Sequence, residues 1–165
     1  MASSSFAFTR VLHWIIAVTA IGALASGYGL TQSDAFALSL LRLHIALGMT
    51  AGLLTALRVV TWLKDGPPPP VFSIRSRVQV RISRWVHGLL RLAPLVLLAS
   101  GIGMVALSGS MPAIVEGTLP GLSDFEPLPP RRLHHAAALG LALLVGLHAL
   151  AAGWHTLHQA RPRTN

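Results

Sequence analysis

Residues Arg131 to His158 read RRLHHAAALGLALLVGLHALAAGWHTLH, a stretch too apolar for water that nevertheless carries five histidines. From Leu133 to Ala160 the chain runs 28 residues without a formal charge, and roughly 20 suffice to cross a bilayer as a helix. The stretch reads as a membrane span. Imidazoles inside hydrocarbon are costly unless they face a packed interior and have something to bind, so intramembrane histidines point to function. His134 and His148 lie 14 residues apart, just under four turns, which places them on one face and about 21 Å apart along the axis. One face with two imidazoles at two depths suits two flat cofactors, one near each side of the membrane.

Composition agrees. The chain has 165 residues, 53% hydrophobic and 11% charged, with a mean hydropathy of +0.63. Soluble domains do not show this balance and multi-span membrane proteins do, so the expectation is a single all-α domain, an integral membrane four-helix bundle. The net charge of +8 does not signal nucleic acid, because the basic residues sit mostly in short segments between apolar runs and set topology instead. With no cysteine, thiolate metal sites, iron–sulfur clusters and covalent haem attachment are excluded. Histidine remains as the strong soft-metal ligand.

The expected spans are about 8–30, 38–63, 84–107 and 131–158. Val11 to Leu30 is uncharged. Its rival reading is a cleaved signal peptide ending at Ala23-Leu24-Ala25, but His13 and Trp14 sit badly in a signal core. Arg42 lies at the entrance of the second span and Arg58 near its exit, both able to snorkel toward head groups. Pro67 to Pro70 make an extended connector. Pro94 is expected to kink the third span, with Gly101 and Gly103 allowing close packing. Ser108 to Pro130 forms the longest connector, rich in Pro and Gly, and carries Glu116, Asp124 and Glu126.

Arg10, Lys64, Arg75, Arg77, Arg81, Arg84, Arg161 and Arg163 fall on one side, against Arg131 and Arg132 on the other with Arg42 at its border. By the positive-inside rule both termini are cytoplasmic. That topology sorts the histidines by depth. His13 and His148 belong to the cytoplasmic half, His44 and His134 to the outer half. Neutral imidazoles from two facing helices coordinate both axial positions of a haem iron, as in an electron carrier with no open position for oxygen. The residue at i+4, on the same face, is small after each of the four: Ala17, Gly48, Ala138 and Ala152. After His87, His135 and His155 it is Arg91, Leu139 and Gln159. One intramembrane histidine alone is ordinarily a polar residue hydrogen-bonded across helices; four matched by depth argue otherwise. A metal transporter would prefer carboxylates beside imidazole, and the spans contain none.

Arg10-Val-Leu-His13-Trp14, Leu43-His44 with Gly48 and Leu57-Arg58, His87-Gly-Leu-Leu, and Leu133-His134 with Gly146-Leu-His148-Ala-Leu-Ala-Ala-Gly-Trp-His155 together resemble the bacterial cytochrome b561 family over nearly the whole chain. Depth alone leaves His155 competing with His148 as partner of His13. The resemblance implies two b haems, His13 with His148 for the cytoplasmic one and His44 with His134 for the outer one, in the bacterial inner membrane. Stand-alone members of the family include a superoxide oxidase that passes electrons to ubiquinone. The resemblance therefore implies a superoxide:ubiquinone oxidoreductase. Short first and second connectors, and Arg75 and Arg77 near where the family carries lysines, depart from the pattern at the quinone site.

His155, one face with His148, is the first candidate to donate a proton to quinone, followed by His87 and Arg84; an interfacial polar role is the alternative. His135 points about 100° from His134 and reads as structural. Trp14, Trp62, Trp85 and Trp154 fall near cytoplasmic span ends, as an interfacial aromatic belt would. Arg42, Arg131 and Arg132 are candidates for haem propionates or, equally, for head-group contact, and their charge would attract superoxide. Three function classes stay open: the stand-alone oxidoreductase, a cytochrome b anchor subunit of a hydrogenase- or dehydrogenase-type respiratory complex, and a haem-free membrane structural protein. Short termini lean toward the first.

Reporter fusions test the topology. Fusions at the N-terminus, in the 64–84 connector and at the C-terminus are expected to read cytoplasmic, and fusions near Asp34 and Glu116 external; a mature protein cleaved after Ala25 overturns this.

Overall fold

In the computed structural model residues 2–32, 37–66, 76–121 and 125–159 are described. Asp34, Arg75, Asp124, Arg161, Arg163 and the prolines 67–70, which figure in the expectations above, lie outside them, as does the side chain of His158. The described residues form five helices and no strand: α1 (Ala2–Leu30), α2 (Ala37–Asp65), α3 (Arg77–Ser108), α4 (Met111–Glu116) and α5 (Pro129–Gln159). Four are long and apolar enough to cross a membrane, over Ala7–Leu30, Ala37–Lys64, Arg77–Ser108 and Pro129–Leu157. The chain is an all-α, multi-pass membrane protein.

Two local features depart from the expected layout. The third span begins at Arg77 instead of near residue 84, because Ser76 is extended (φ −121°, ψ 145°) and its hydroxyl accepts from the Gln79 N–H at 3.1 Å. That bond satisfies one of the free amides of the first turn and lets the helix start early. The connector between α3 and α5, expected to face outward, contains α4, with proline in its first turn and Gly117 at φ 92° after its end. Proline at the start and a left-handed glycine at the end are helix boundary signals, here around only six residues.

In lipid every polar group must be satisfied internally. The hydroxyls of Thr19, Ser26, Thr55 and Ser100 each donate to a carbonyl one turn back, at 2.7–2.8 Å. Among the described residues no buried side-chain nitrogen or oxygen lacks a partner. The outward faces carry large apolar residues such as Val18, Leu143 and Leu150, exposed as lipid-facing positions are.

Packing is unequal around the bundle. α1 lies along α2, α3 along α5, and α2 along α3, whereas α1 meets α5 sparsely and α2 meets α5 more sparsely still. Glycines set the tight seams. A methyl on Gly22 would stand 2.9 Å from Leu47 Cδ1, and one on Gly52 would stand 2.7 Å from Leu98 Cβ. Because Leu98 Cβ is fixed to the α3 backbone, Gly52→Leu cannot be absorbed by a rotamer change. The variant is expected to lose about 1–3 kcal/mol, the usual cost of overpacking, read as a lower thermal midpoint by circular dichroism in detergent; an unchanged midpoint refutes the tight α2–α3 seam.

Candidate functional site

The helices that carry paired histidines are the ones that stand apart. His44 on α2 faces His134 on α5 with ring centroids 5.9 Å apart, and His13 on α1 faces His148 on α5 at 6.3 Å. A metal held between two imidazoles, about 2 Å from each nitrogen and with each nitrogen about 1.1 Å from its ring centre, separates the centroids by roughly 6.2 Å. Both pairs have that spacing. They lie toward opposite ends of the bundle, since His134 and His148 share α5 with almost four turns between them.

The outer pair is held in one tautomer. His44 Nδ1–H donates to the Ala23 carbonyl at 2.9 Å. His134 Nδ1–H donates to Ser100 Oγ at 3.0 Å, whose own proton goes to the Val96 carbonyl at 2.7 Å. With Nδ1 protonated in both rings, each Nε2 keeps its lone pair for a metal, the usual arrangement of ligating histidines. Ser100 and Ala23 belong to this site and were not singled out from sequence. A hydroxyl in mid-span was the signal for Ser100; a backbone carbonyl leaves none.

Space at the outer pair is set by glycine. A methyl on Gly27 would come within 2.9 Å of His44 Cε1 and 3.0 Å of its Nδ1, so α1 admits this ring only with glycine there. A methyl on Gly48, one turn beyond His44, would meet nothing within 4 Å, and one on Gly101 would touch His134 Cε1 at 3.5 Å. The ring edge is confined while the next turn on α2 stays open, as a planar macrocycle beside its ligand requires.

At the inner end a third imidazole joins the pair. His87 on α3 lies 5.3 Å from His148, nearly perpendicular to it. That separation is shorter than a metal-bridged pair needs, so His87 stands in direct ring contact with His148 while His13 is the partner at metal-spanning distance. His87 Nδ1–H donates to the Ser83 carbonyl at 2.7 Å, which leaves Nε2 as acceptor. His155 is half-buried further along α5, and Arg84 is exposed on α3. Arg58 on α2, 14 residues beyond His44, returns to the same face at the depth of this pair.

Of the outer arginines, Arg42 is engaged elsewhere: its Nη2–H donates to the Ile114 carbonyl at 2.7 Å and to that of Val115 at 3.3 Å, and its Nε–H to Ile114 at 3.2 Å. It caps the C-terminal end of α4, where a cation meets the free carbonyls favourably. Arg131 is half-buried at the start of α5 and Arg132 exposed. His135, beside His134, points to the surface.

Among the described residues no three metal-binding side chains converge. Each site thus brings two imidazoles to metal-spanning distance, the number a metal already ringed by four equatorial donors leaves open. Four membrane helices with imidazole pairs of this kind define a b-type cytochrome. The profile of prokaryotic cytochrome b561 matches residues 6–162, and the chain belongs to that family. It is a haem b-binding membrane protein of electron transfer. Searches of curated proteins and of solved structures returned no match.

The crowding at Gly27 gives a selective test. If each pair holds a haem, Gly27→Val is expected to displace His44 and remove the one at the His44/His134 pair while leaving the other spectrum intact, as His44→Ala and His134→Ala should; His13→Ala and His148→Ala should remove the other. A pyridine haemochrome assay against protein concentration reads the ratio, and full haem in Gly27→Val overturns the assignment of the outer pair.

Proposed function

We propose that the protein binds two b haems in the bacterial inner membrane with both termini cytoplasmic, and that it is a superoxide:ubiquinone oxidoreductase. The carrying observation is the two imidazole pairs at metal-spanning separation, one toward each end of the bundle. When bound, the haems supply one-electron transfer between the two membrane faces.

Every other part of the reaction falls to the chain. Two superoxide anions give two dioxygen molecules and two electrons, and ubiquinone takes up two electrons and two protons to become the quinol. On the outer side, Arg131 and Arg132 at the start of α5 attract the anion, a steering effect that raises association rate. On the inner side the two protons need a donor. His87 takes precedence over His155 and Arg84 in that role, because its ring lies against His148 and its Nε2 is the free nitrogen, able to pass a proton inward from the cytoplasmic face. His155 and Arg84 are then the relay toward the cytoplasm.

Superoxide generated enzymatically is expected to reduce the b haems of purified protein, with turnover rising on addition of ubiquinone. His87→Ala should slow reoxidation by quinone on the order of a hundredfold, the scale of a positioned proton donor, and leave reduction by superoxide unchanged. Haems reduced by quinol but not by superoxide would instead make the protein a cytochrome b anchor subunit exchanging electrons with a partner enzyme.

A further inference from the structure

Two arginines inside the spans have no place in the topology or in the reaction so far described. Arg58 lies on α2 and Arg91 on α3, both half-buried. Arg58 follows His44 by 14 residues, the spacing that separates His134 from His148, so it returns to the His44 face of α2 about 21 Å further in. That is the depth of the inner pair. Arg91 is one turn from His87 on the same face of α3. Its guanidinium carbon sits 4.6 Å above the centre of the Trp62 ring, and Trp62 is one turn beyond Arg58 on the same face of α2, so the two arginines come together where α2 meets α3.

Two like charges held together inside a bilayer are unfavourable unless an anion lies between them. Among the described residues no carboxylate lies at that depth. The sequence has five acidic residues, Asp34, Asp65, Glu116, Asp124 and Glu126. Of those described, Glu116 ends α4 and Glu126 lies just before α5, both at the His134 end of the bundle, and Asp65 closes α2 seven residues, about two turns, beyond Arg58. Trp62 steadies Arg91 by a cation–π contact without neutralising it. A guanidinium pair of this kind matches a carboxylate in charge and, through its forked N–H groups, in geometry.

The geometry points to a carboxylate-binding site formed by Arg58 and Arg91 beside His13 and His148, and we propose that its ligand is a propionate of the inner haem. This rests on the two-haem reading above. The pair would anchor the cofactor edge that its axial ligands leave free, and it places two positive charges beside His13 and His148. Those charges would favour the reduced state of the haem held there. A lipid phosphate presents the same chemistry, and the two sources are separable.

Spectroscopic redox titration of the purified holoprotein reads the effect. Arg58→Gln and Arg91→Gln are expected to lower the midpoint potential of the inner haem, the double variant most, with the outer haem unmoved and Arg58→Lys restoring much of the loss. Haem-depleted protein reloaded with iron protoporphyrin IX or its dimethyl ester identifies the ligand. The wild type should take up the ester at the inner site about tenfold less well, the scale of one charged hydrogen bond, and the double variant should take up both equally. Equal uptake by the wild type, with the potential still shifted in the variants, assigns the arginines to lipid phosphate and overturns the propionate assignment. An inner haem present at full occupancy with unchanged potential overturns the site itself. A protein that lacks an inner haem altogether refutes the two-haem reading instead.

Discussion

An imidazole in hydrocarbon must place both of its nitrogens, and that constraint governs how this bundle is put together. At the outer end each ring gives its Nδ1 proton to an oxygen of a neighbouring helix, His44 to Ala23 on α1 and His134 to Ser100 on α3. The second nitrogen of each is left as an acceptor, in two rings whose centroids lie 5.9 Å apart. Neither ring satisfies the other directly, since both Nε2 atoms are acceptors. A metal between them completes the valence of both, so the cofactor is part of the polar bookkeeping that folding in lipid demands.

The same constraint explains why the helices pack unequally. α1 is tied to α2, and α3 to α5, through seams at which glycine lets one helix approach the side chains of the next. Small residues drive such approach in membranes, where burial of apolar surface gains nothing over lipid contact. Joined mainly through α2 and α3, the two ties leave α5 in sparse contact with α1 and α2, the two helices whose histidines it faces. Close packing is spent on the helix pairs that need no cofactor. The wide gaps coincide with the two imidazole pairs.

Much of this was legible in the sequence. The span count followed from the length of the apolar runs, and the partners of His44 and His13 followed from depth once the helices alternate in direction, although choosing His148 over His155 required resemblance to a family. What escaped was of two kinds. Ala23 acts through its carbonyl, which every residue has, and Gly27 through the lack of a side chain, so neither carries a chemical label. Arg42 and α4 escaped differently. Arg42 lies near an outer ligand in sequence and reads as a cofactor anchor, yet it closes on the carbonyls of a short helix some 72 residues away. Which long-range partner a flexible cation selects depends on the connector's fold, and Pro112 and Gly117 bracket that fold without announcing what lies against it. Arg58 and Arg91 met because α2 and α3 adjoin, a fact of packing that spacing along one helix does not reveal.

The two ends of the bundle thus differ in kind. At the His44/His134 end the rings are tethered by neutral oxygens, Arg42 is engaged by the carbonyls of α4, and space is trimmed by Gly27 and Gly101. The inner end holds three imidazoles in a row and two guanidinium groups within a turn or two of them. On the two-haem reading proposed above, an electron passing from the His44/His134 pair to the His13/His148 pair would move toward the charge of Arg58 and Arg91, which favours that direction. It would also arrive beside His87, a ring whose Nδ1 is anchored on Ser83, where a proton can follow. On that reading, a relay symmetrical in its ligands takes its direction from the residues around them.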